Sequence, residues 1–141
     1  MEEAIAKADA LVEALPYIQR FKGKCVVIKF GGSAMEDEGI LDDVLEDVAF
    51  LATVGVRAIL VHGGGSMISA GMEEADLEPS FVRGHRVTDA DALKVAVRVL
   101  SDISRDITER IEAHGARAHC MLDEEDNPLR AAKKLLEPEA D

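Results

Sequence analysis

The sequence contains only two cysteines, few basic residues and no apolar run of the length that a bilayer requires. Cys25 and Cys120 lie in apolar, strand-like stretches without metal-ligand spacing, so we expect buried free thiols. The apolar stretch from Val48 to Val56 is far too short to span a membrane. The 16 Lys and Arg residues face 28 Asp and Glu residues, and the formal charge of −12 repels phosphate backbones and anionic membranes. We therefore expect neither a nucleic-acid nor a membrane partner.

The amino terminus also lacks the features of a signal peptide. Its first ten residues, "MEEAIAKADA", are acidic and amphipathic, whereas a signal peptide is basic and then apolar, so we expect a cytoplasmic protein. A length of 141 residues, of which 48% are hydrophobic, suits one globular domain. We divide the chain into a helical arm, residues 1–22, and an α/β domain, residues 23–141. The arm has apolar residues at helical spacing, although Pro16 should kink or divide that helix.

A strand, a glycine loop and a helix follow one another twice after the arm. The run from Val26 to Phe30 is short, apolar and rich in β-branched residues, which is typical of a strand covered on both faces. After two glycines, an apolar stripe from Leu41 to Leu51 predicts a helix that ends at Gly55. The run from Ala58 to Val61 repeats the strand, "HGGGS" repeats the loop, and a shorter amphipathic segment follows. Two such units predict a parallel sheet.

The second half of the chain contains signals for a hairpin, a long helix and a third strand. The stretch "EPSFVRGHRV" combines a proline, a glycine and short apolar pieces, which indicates an irregular excursion or a small hairpin able to grip a ligand. Thr88 with Asp91 makes a capping signal for a long helix from Leu93 to Ile111, closed by Gly115. The stretch "ARAHCM" is expected to form a third buried strand, and the charged tail a turn and a short helix.

The two glycine loops suggest an anion site, because a parallel sheet places both at the carboxyl ends of its strands. Glycines let backbone N–H groups approach an anion, and each following helix adds the positive end of its dipole. Lys29, near the end of its strand, can direct a positive charge into the same space. The alternative is that Gly31-Gly32 and Gly63-Gly65 are only tight turns and that Lys29 extends out of the sheet to solvent. The repetition of the loop, together with Lys29, favours a clamp for a phosphoryl group.

Several sequence motifs also resemble those of the acetylglutamate kinases, which belong to the amino-acid kinase family. The stretch "KFGG" is common among amino-acid kinases, whereas "ALPYIQRF" and the pattern "GxRVTD" in this order are more particular. The resemblance runs from about Ala14 to Gly115 and rests on these stretches and the long helix after them: "ALPYIQRFKGK", "VVIKFGGSAM", "VHGGGSMI" and "FVRGHRVTD". It implies an α/β three-layer sandwich with a mainly parallel central sheet. Only the amino-terminal half of that fold is represented, without the carboxyl-terminal nucleotide lobe.

The resemblance implies roles for the first loop in transferring a phosphoryl group from ATP to a carboxylate. Lys29 would neutralise charge on the moving phosphoryl group, and the backbone of Gly31 and Gly32 would cradle the β- and γ-phosphates. Mg²⁺ would accompany the ATP, and no residue of this chain is assigned as its ligand. Most of the family's nucleotide site belongs to the missing half, so we expect the chain to be inactive alone.

The acceptor that the resemblance implies is N-acetyl-L-glutamate, which is phosphorylated in arginine biosynthesis. Gly64 and Gly65 would hold it near its reacting carboxylate, and Arg86 would bind its α-carboxylate through a charge-assisted, bidentate pair. Without the motif, Arg86 has the alternative of a surface salt bridge on an acidic protein. The histidines other than His85, which receives no role, are expected to be structural because no second titratable partner stands at useful spacing: His62, His114 and His119.

Two departures and the short length leave several interpretations open. Ser33 stands where many members of the family have asparagine, and Ser66-Met67 replaces a common Pro-Gln, but neither change removes the clamp. The family's chains are about twice as long as this one. The chain is therefore interpreted as the acceptor-binding half of a kinase, with two alternatives: a non-catalytic acetylglutamate or anion sensor, and a module that makes subunit contacts with a full-length relative. By the same resemblance, the arm and the sheet domain would form a homo-oligomer.

Overall fold

The computed structural model describes residues 1–31 and 35–121 of the chain. Two expectations, the placement of Gly32 and the short helix of the charged tail, lie outside these residues. The helices and strands follow in this order: α1 (Glu2–Phe21), β1 (Cys25–Phe30), α2 (Glu38–Thr53), β2 (Arg57–His62), α3 (Gly65–Glu74), β3 (Phe81–Val82), β4 (His85–Arg86) and α4 (Ala90–Ala113).

Strands β1 and β2 form the predicted parallel sheet, with Cys25 opposite Arg57 and Phe30 opposite His62. Since successive side chains of a strand point to opposite faces, every second residue faces the core. The core lies between this face of the sheet and the apolar sides of α2 and α4, and Leu45 on α2 is its most buried large side chain. The sheet residues that contact the core are Ile28, Phe30, Ala58 and Leu60.

The second face of the sheet remains uncovered, so the prediction of strands covered on both faces is wrong for the described residues. Val27 on β1 is 65% exposed, and Ile59 and Val61 on β2 are 43% and 47% exposed. Because α2 and α4 pack on the other face, the described part of the chain has two layers. The α/β class and the parallel sheet are confirmed, whereas a third layer is not seen among these residues.

The third predicted strand is also absent from the described residues, since residues 116–120 have no regular secondary structure. Ala116 and Ala118 still pack against the core, and the half-buried positions alternate with exposed ones as in a strand. The segment therefore has the period of a strand without a partner to share a hydrogen-bond ladder. Cys120 at its end is half-buried and Cys25 is exposed, so both thiols are free but the predicted burial is wrong.

Asp residues cap the two long helices of the domain. The Asp37 carboxylate accepts hydrogen bonds from two backbone N–H groups in the first turn of α2. Asp89 does the same for α4, so the predicted Thr88 cap is one residue early. Beyond the carboxyl ends, Gly55 (φ +90°) and Gly115 (φ +86°) adopt the left-handed conformation that glycine tolerates best. Both glycine endings are as predicted.

Helix α1 continues through Pro16 and buries no residue. The proline lacks the N–H that would close one intrahelical hydrogen bond, but its fixed φ is compatible with a helix, so the helix is not divided. Its large apolar side chains are exposed to solvent: Ile5, Leu11, Val12, Leu15 and Tyr17. Among the described residues, no helix combines the length and apolar character that crossing a membrane requires.

A small antiparallel hairpin and a close helix pair complete the fold. β3 pairs with β4, and the turn residues Arg83 and Gly84 both have positive φ, as a two-residue type I′ turn requires. This confirms the hairpin alternative. On α3, Gly71 is buried against α4, where a Cβ would lie only 2.9 Å from the Val99 side chain. A larger residue at position 71 would therefore push α3 away from α4.

Candidate functional site

The two glycine loops lie against each other at the carboxyl ends of β1 and β2. The backbone N–H of Gly63 donates to the Phe30 carbonyl oxygen over 3.1 Å. A Cβ on Gly31 would lie 3.6 Å from the Gly63 nitrogen, so the backbones of the two loops are in contact there. The expectation that both loops share one edge of the sheet therefore agrees with the structure.

Packing explains the glycine at position 64 but not the one at position 65. A Cβ on Gly64 would lie 3.0 Å from both Ile103 Cδ1 and Leu100 Cδ2 on α4, which is tighter than an ordinary contact. A Cβ on Gly65 would meet no atom of the described residues within 4 Å. Gly64 therefore has a structural reason to lack a side chain, and Gly65 keeps open space above its backbone.

The amino terminus of α3 is uncapped. Its N-cap residue is Gly64, no side chain of the described residues caps the helix, and no acidic residue lies in the first turn. The first intrahelical hydrogen bond runs from Ile68 N to Gly64 O, so the N–H groups of residues 65–67 precede it. These groups and the helix dipole favour an anion. At α2, by contrast, the Asp37 carboxylate accepts hydrogen bonds from two N–H groups of the first turn, so a negative charge already offsets part of the positive end of that helix dipole at the first loop.

A shallow cleft opens at this end of α3. Its volume is about 220 Å³, and a neighbouring, mainly apolar cleft of about 250 Å³ shares Met35 and Met67 with it. Glu36 is the acidic residue of the first cleft, and its charge opposes the binding of an anion close to it. The lining residues of the first cleft are Met35, Glu36, Gly64, Gly65, Ser66 and Met67.

Arg86 reaches from the hairpin to the first turns of α3. Its Nη2 donates to the Gly65 carbonyl oxygen over 2.8 Å and to Ser69 Oγ over 2.7 Å. Its Nη1 makes a weaker contact with Met72 Sδ at 3.3 Å, and the guanidinium lies 4.7 Å above the Phe81 ring centre. Arg86 forms no ion pair with a described residue, so the surface salt-bridge alternative is not supported. Sequence reasoning missed Ser69, although it lies one helical turn from Gly65.

Lys29 lies on the uncovered face of the sheet, opposite Val61 and two residues before Gly31. Its side chain is exposed and makes no hydrogen bond or ion pair with another residue of the described part. Within the described part of the chain, its charge therefore has no counter-ion. Gly32, which was predicted to bind phosphate together with Lys29 and Gly31, lies outside the described residues. Of these three predicted residues, the structure therefore describes Lys29 and Gly31.

The histidines make contacts that suit structural roles. His62 Nδ1 lies 2.9 Å from the Gly63 carbonyl oxygen, and Nε2 lies 2.6 Å from Ser104 Oγ on α4. Because a carbonyl oxygen only accepts, Nδ1 carries a proton, and in the neutral ring Nε2 accepts from the Ser104 hydroxyl. His62 thus ties the second loop to α4, and His114 Nε2 lies 3.2 Å from Asp42 on α2. No group of three or more metal-ligating side chains occurs within residues 1–31 and 35–121.

The fold and the loop arrangement define a class of α/β proteins whose glycine loops and helix termini suit phosphorylated or carboxylate ligands. Comparison with known protein families then identifies the family within this class. The model of the amino acid kinase family matches residues 24–134, and the chain belongs to this family. The match extends past Gly115, beyond the motifs that carry the sequence resemblance.

Curated relatives carry the name acetylglutamate kinase. The one from Campylobacter fetus subsp. fetus is 41% identical over 132 residues, which cover 93% of this chain and 47% of that relative. The one from Synechococcus elongatus is 48% identical over 116 residues, covering 82% of this chain and 38% of that relative. The chain therefore spans less than half the length of these relatives.

Solved structures of N-acetylglutamate synthase from Neisseria gonorrhoeae share the fold. The complex with coenzyme A and L-arginine has a TM-score of 0.56 and 26% identity, and the match covers 85% of this chain and 26% of that chain. The complex with coenzyme A and N-acetyl-glutamate has a TM-score of 0.57 at 26% identity, covering 76% and 24%.

Proposed function

We propose that the chain is the acceptor-binding part of an acetylglutamate kinase of arginine biosynthesis, acting in the cytoplasm. The family membership and the names of relatives at 41% and 48% identity support the kinase class. The observation that carries the acceptor assignment is the placement of Arg86 against Gly65, at the uncapped amino terminus of α3.

The acceptor in this proposal is N-acetyl-L-glutamate, a dianion. One carboxylate, on the side chain, binds at the N–H groups that begin α3, next to the open space above Gly65. The α-carboxylate pairs with Arg86, whose planar guanidinium suits a carboxylate better than an ammonium does. Gly64 shapes this loop by allowing it to pack closely on α4.

The donor in this proposal is ATP with Mg²⁺. Lys29 and the backbone of Gly31 and Gly32 would hold its terminal phosphates, and the exposed Lys29 ammonium, which pairs with no described residue, fits a phosphoryl group. At the terminus of α2, the Asp37 carboxylate already accepts from the N–H groups of Gly39 and Ile40, so these two are not free for the phosphates. Mg²⁺ would enter with the phosphates of ATP, which are its usual ligands in such sites. When bound, it would spread the charge of the phosphates.

The reaction is an in-line transfer between two anions. A side-chain carboxylate oxygen of the acceptor forms a bond to the γ-phosphorus, the bond from that phosphorus to the bridging oxygen breaks, and ADP leaves. The product is an acyl phosphate, and no proton is gained or lost at the reacting oxygen. Since the substrates repel each other, this chain's groups contribute by orienting them and by placing positive charge near the transferred group.

Complementation tests this proposal. We expect the chain alone to show negligible turnover, because it spans less than half of its relatives' length. Supplying the carboxyl-terminal half of a relative, separately or as a fusion, should restore acetylglutamate-dependent ADP release, with an acyl phosphate trapped as hydroxamate. Omission of acetylglutamate is the control. ADP release that does not depend on acetylglutamate would contradict the proposed acceptor.

A second proposal, self-association, follows from the exposed apolar surface of α1. The helix buries none of its residues and exposes Leu11 and Val12 at 67% and 70%. Such a face on a small domain favours contact with another copy. We therefore propose a homo-oligomer that uses this arm together with the sheet domain.

A further inference from the structure

The Arg86 guanidinium is already saturated at one nitrogen. Nη2 carries two protons, and both have acceptors, since the Gly65 carbonyl oxygen lies at 2.8 Å and Ser69 Oγ at 2.7 Å. Nε has no acceptor among the described residues, and Nη1 contacts only Met72 Sδ, a weak acceptor. Both Nη2 protons of Arg86 are therefore already hydrogen-bonded, whereas the N–H groups of Nε and Nη1 are nearly free to bind a ligand.

A carboxylate cannot make a bidentate pair with Arg86 in this state. The two bidentate geometries use either Nη1 and Nη2 or Nε and Nη2, so each of them needs a proton on Nη2. One of the two present acceptors has to give way. Ser69 can do so at the lower cost, because its hydroxyl also donates to the Gly65 carbonyl oxygen over 3.1 Å and keeps that bond when the guanidinium turns away.

We propose that Ser69 Oγ occupies the position in the Arg86 fork that a carboxylate oxygen of the ligand takes on binding. Ser69 is thereby a specificity-determining residue of the acceptor site. A carboxylate displaces it because a charged acceptor binds the guanidinium more strongly than a neutral hydroxyl does. A neutral ligand group would only replace the neutral Ser69 hydroxyl with another neutral acceptor, so its binding gains little free energy. This inference rests on the proposed acceptor site.

Removing the hydroxyl should therefore tighten binding. In Ser69→Ala, the guanidinium keeps the Gly65 carbonyl, Met72 Sδ and the Phe81 ring as anchors, while the competing acceptor is lost. The affinity for N-acetyl-L-glutamate should rise roughly three- to tenfold, the effect of one net hydrogen bond. Ser69→Thr keeps a hydroxyl and should bind like the parent. Ser101→Ala, the same change on α4, should alter nothing.

The experiment is a chemical-shift titration of the ¹⁵N-labelled full chain with N-acetyl-L-glutamate. The gain should disappear when Ser69→Ala is combined with Arg86→Ala, since Ser69 acts only through that guanidinium. Equal or weaker binding by Ser69→Ala would overturn the inference while leaving the acceptor site in place. A gain that persists without Arg86 would overturn it as well.

The ligand-free chain separates failure of the inference from failure of the proposed function. Side-chain ¹⁵N spectra should show slowed rotation of the Arg86 Nη2 group in the parent and faster rotation in Ser69→Ala. If no variant responds to N-acetyl-L-glutamate, the proposed acceptor is wrong, and the assignment of Ser69 to its displacement falls with it. If the Arg86 Nη2 group rotates freely in the parent and the ligand still binds, Ser69 does not restrain the guanidinium, and the inference is wrong.

Discussion

Arg86 and Gly65 are joined by a hydrogen bond of 2.8 Å across 21 residues of sequence, from the guanidinium Nη2 to the backbone carbonyl oxygen. This contact connects the hairpin to the second glycine loop. It places a cation beside the uncapped first turn of α3, where backbone N–H groups already favour an anion. The two sources of positive potential in the candidate acceptor site thus come from elements that the sequence separates.

Loss of the Arg86 guanidinium should weaken the acceptor site. Arg86→Ala is expected to reduce N-acetyl-L-glutamate binding by about 2 to 4 kcal/mol, the scale for removing one partner of a desolvated charged pair. Arg86→Lys should recover little, because a point charge does not replace the planar fork. Calorimetry on the three proteins measures this, and Arg57→Ala, at the amino end of β2, is the matched control. Equal affinity for Arg86→Ala and the parent would remove Arg86 from the site.

The two glycines at the start of α3 should respond differently to alanine. Gly64→Ala brings a Cβ to 3.0 Å from two α4 side chains, so it should lower the free energy of unfolding by roughly 1 to 3 kcal/mol. In Gly65→Ala the new methyl group meets no described atom within 4 Å, so this variant should raise stability by up to about 1 kcal/mol. Gly65→Ala should nevertheless weaken acceptor binding, because its methyl group occupies the ligand's space. Urea denaturation and the titration together separate these effects, and unchanged binding by Gly65→Ala would count against close approach there.

Lys29 should matter for transfer and not for folding. Its side chain is exposed and makes no ion pair with residues 1–31 or 35–121, so Lys29→Ala should leave the unfolding transition unchanged. In the complemented enzyme, the same change should reduce kcat by a factor on the order of 10² or more, the usual effect of losing one positioned charge on a transition state. Lys24→Ala, before the start of β1, serves as the control. Restored activity that does not depend on Lys29 would mean that the first glycine loop is only a turn.

Removal of the arm should reduce the size of the oligomer. Deleting residues 1–20 removes a helix that buries no residue, so the α/β domain should keep its fold while losing the exposed apolar face. Light scattering measures the mass, and circular dichroism checks that the domain stays folded. A full-length Leu11→Ser variant changes the same surface without shortening the chain and should shift the mass in the same direction. The number of subunits is the measured mass divided by the mass of one chain. If this number stays the same in both variants, the arm is excluded as the contact.

The spacing of apolar residues predicted the helices and strands, because the pattern that identifies each of them lies within its own stretch of sequence. The stripe from Leu41 to Leu51 and the short runs of β1 and β2 appear as a helix and two strands, and Gly55 and Gly115 follow the helices as expected. The sequence could not show what covers a strand, since a run such as "VVIKF" looks the same with one or both faces covered. Val27 is exposed because no described element packs over it.

The candidate site was predictable in its loops and not in its side-chain contacts. Repeated glycines after two strands of a parallel sheet indicate a shared edge, and Gly31 and Gly63 do meet there. The pairing of Arg86 with Ser69 depends on how the hairpin lies on α3, which no local pattern determines. The Asp37 cap was a local signal that sequence reasoning overlooked, and its negative charge offsets part of the positive end of the α2 dipole near the first loop.

A single titration tests the central claim most directly, namely that the second glycine loop and Arg86 bind N-acetyl-L-glutamate. The ¹⁵N-labelled chain is titrated to millimolar ligand, and the amide signals of Gly65, Ser66 and Met67 are followed together with the Arg86 side chain. All four should shift with one dissociation constant, and N-acetyl-L-alanine, which lacks the side-chain carboxylate, should shift Arg86 without the same change at the three amides. Shifts confined to other parts of the chain, or none at these four residues, would contradict the proposed acceptor site.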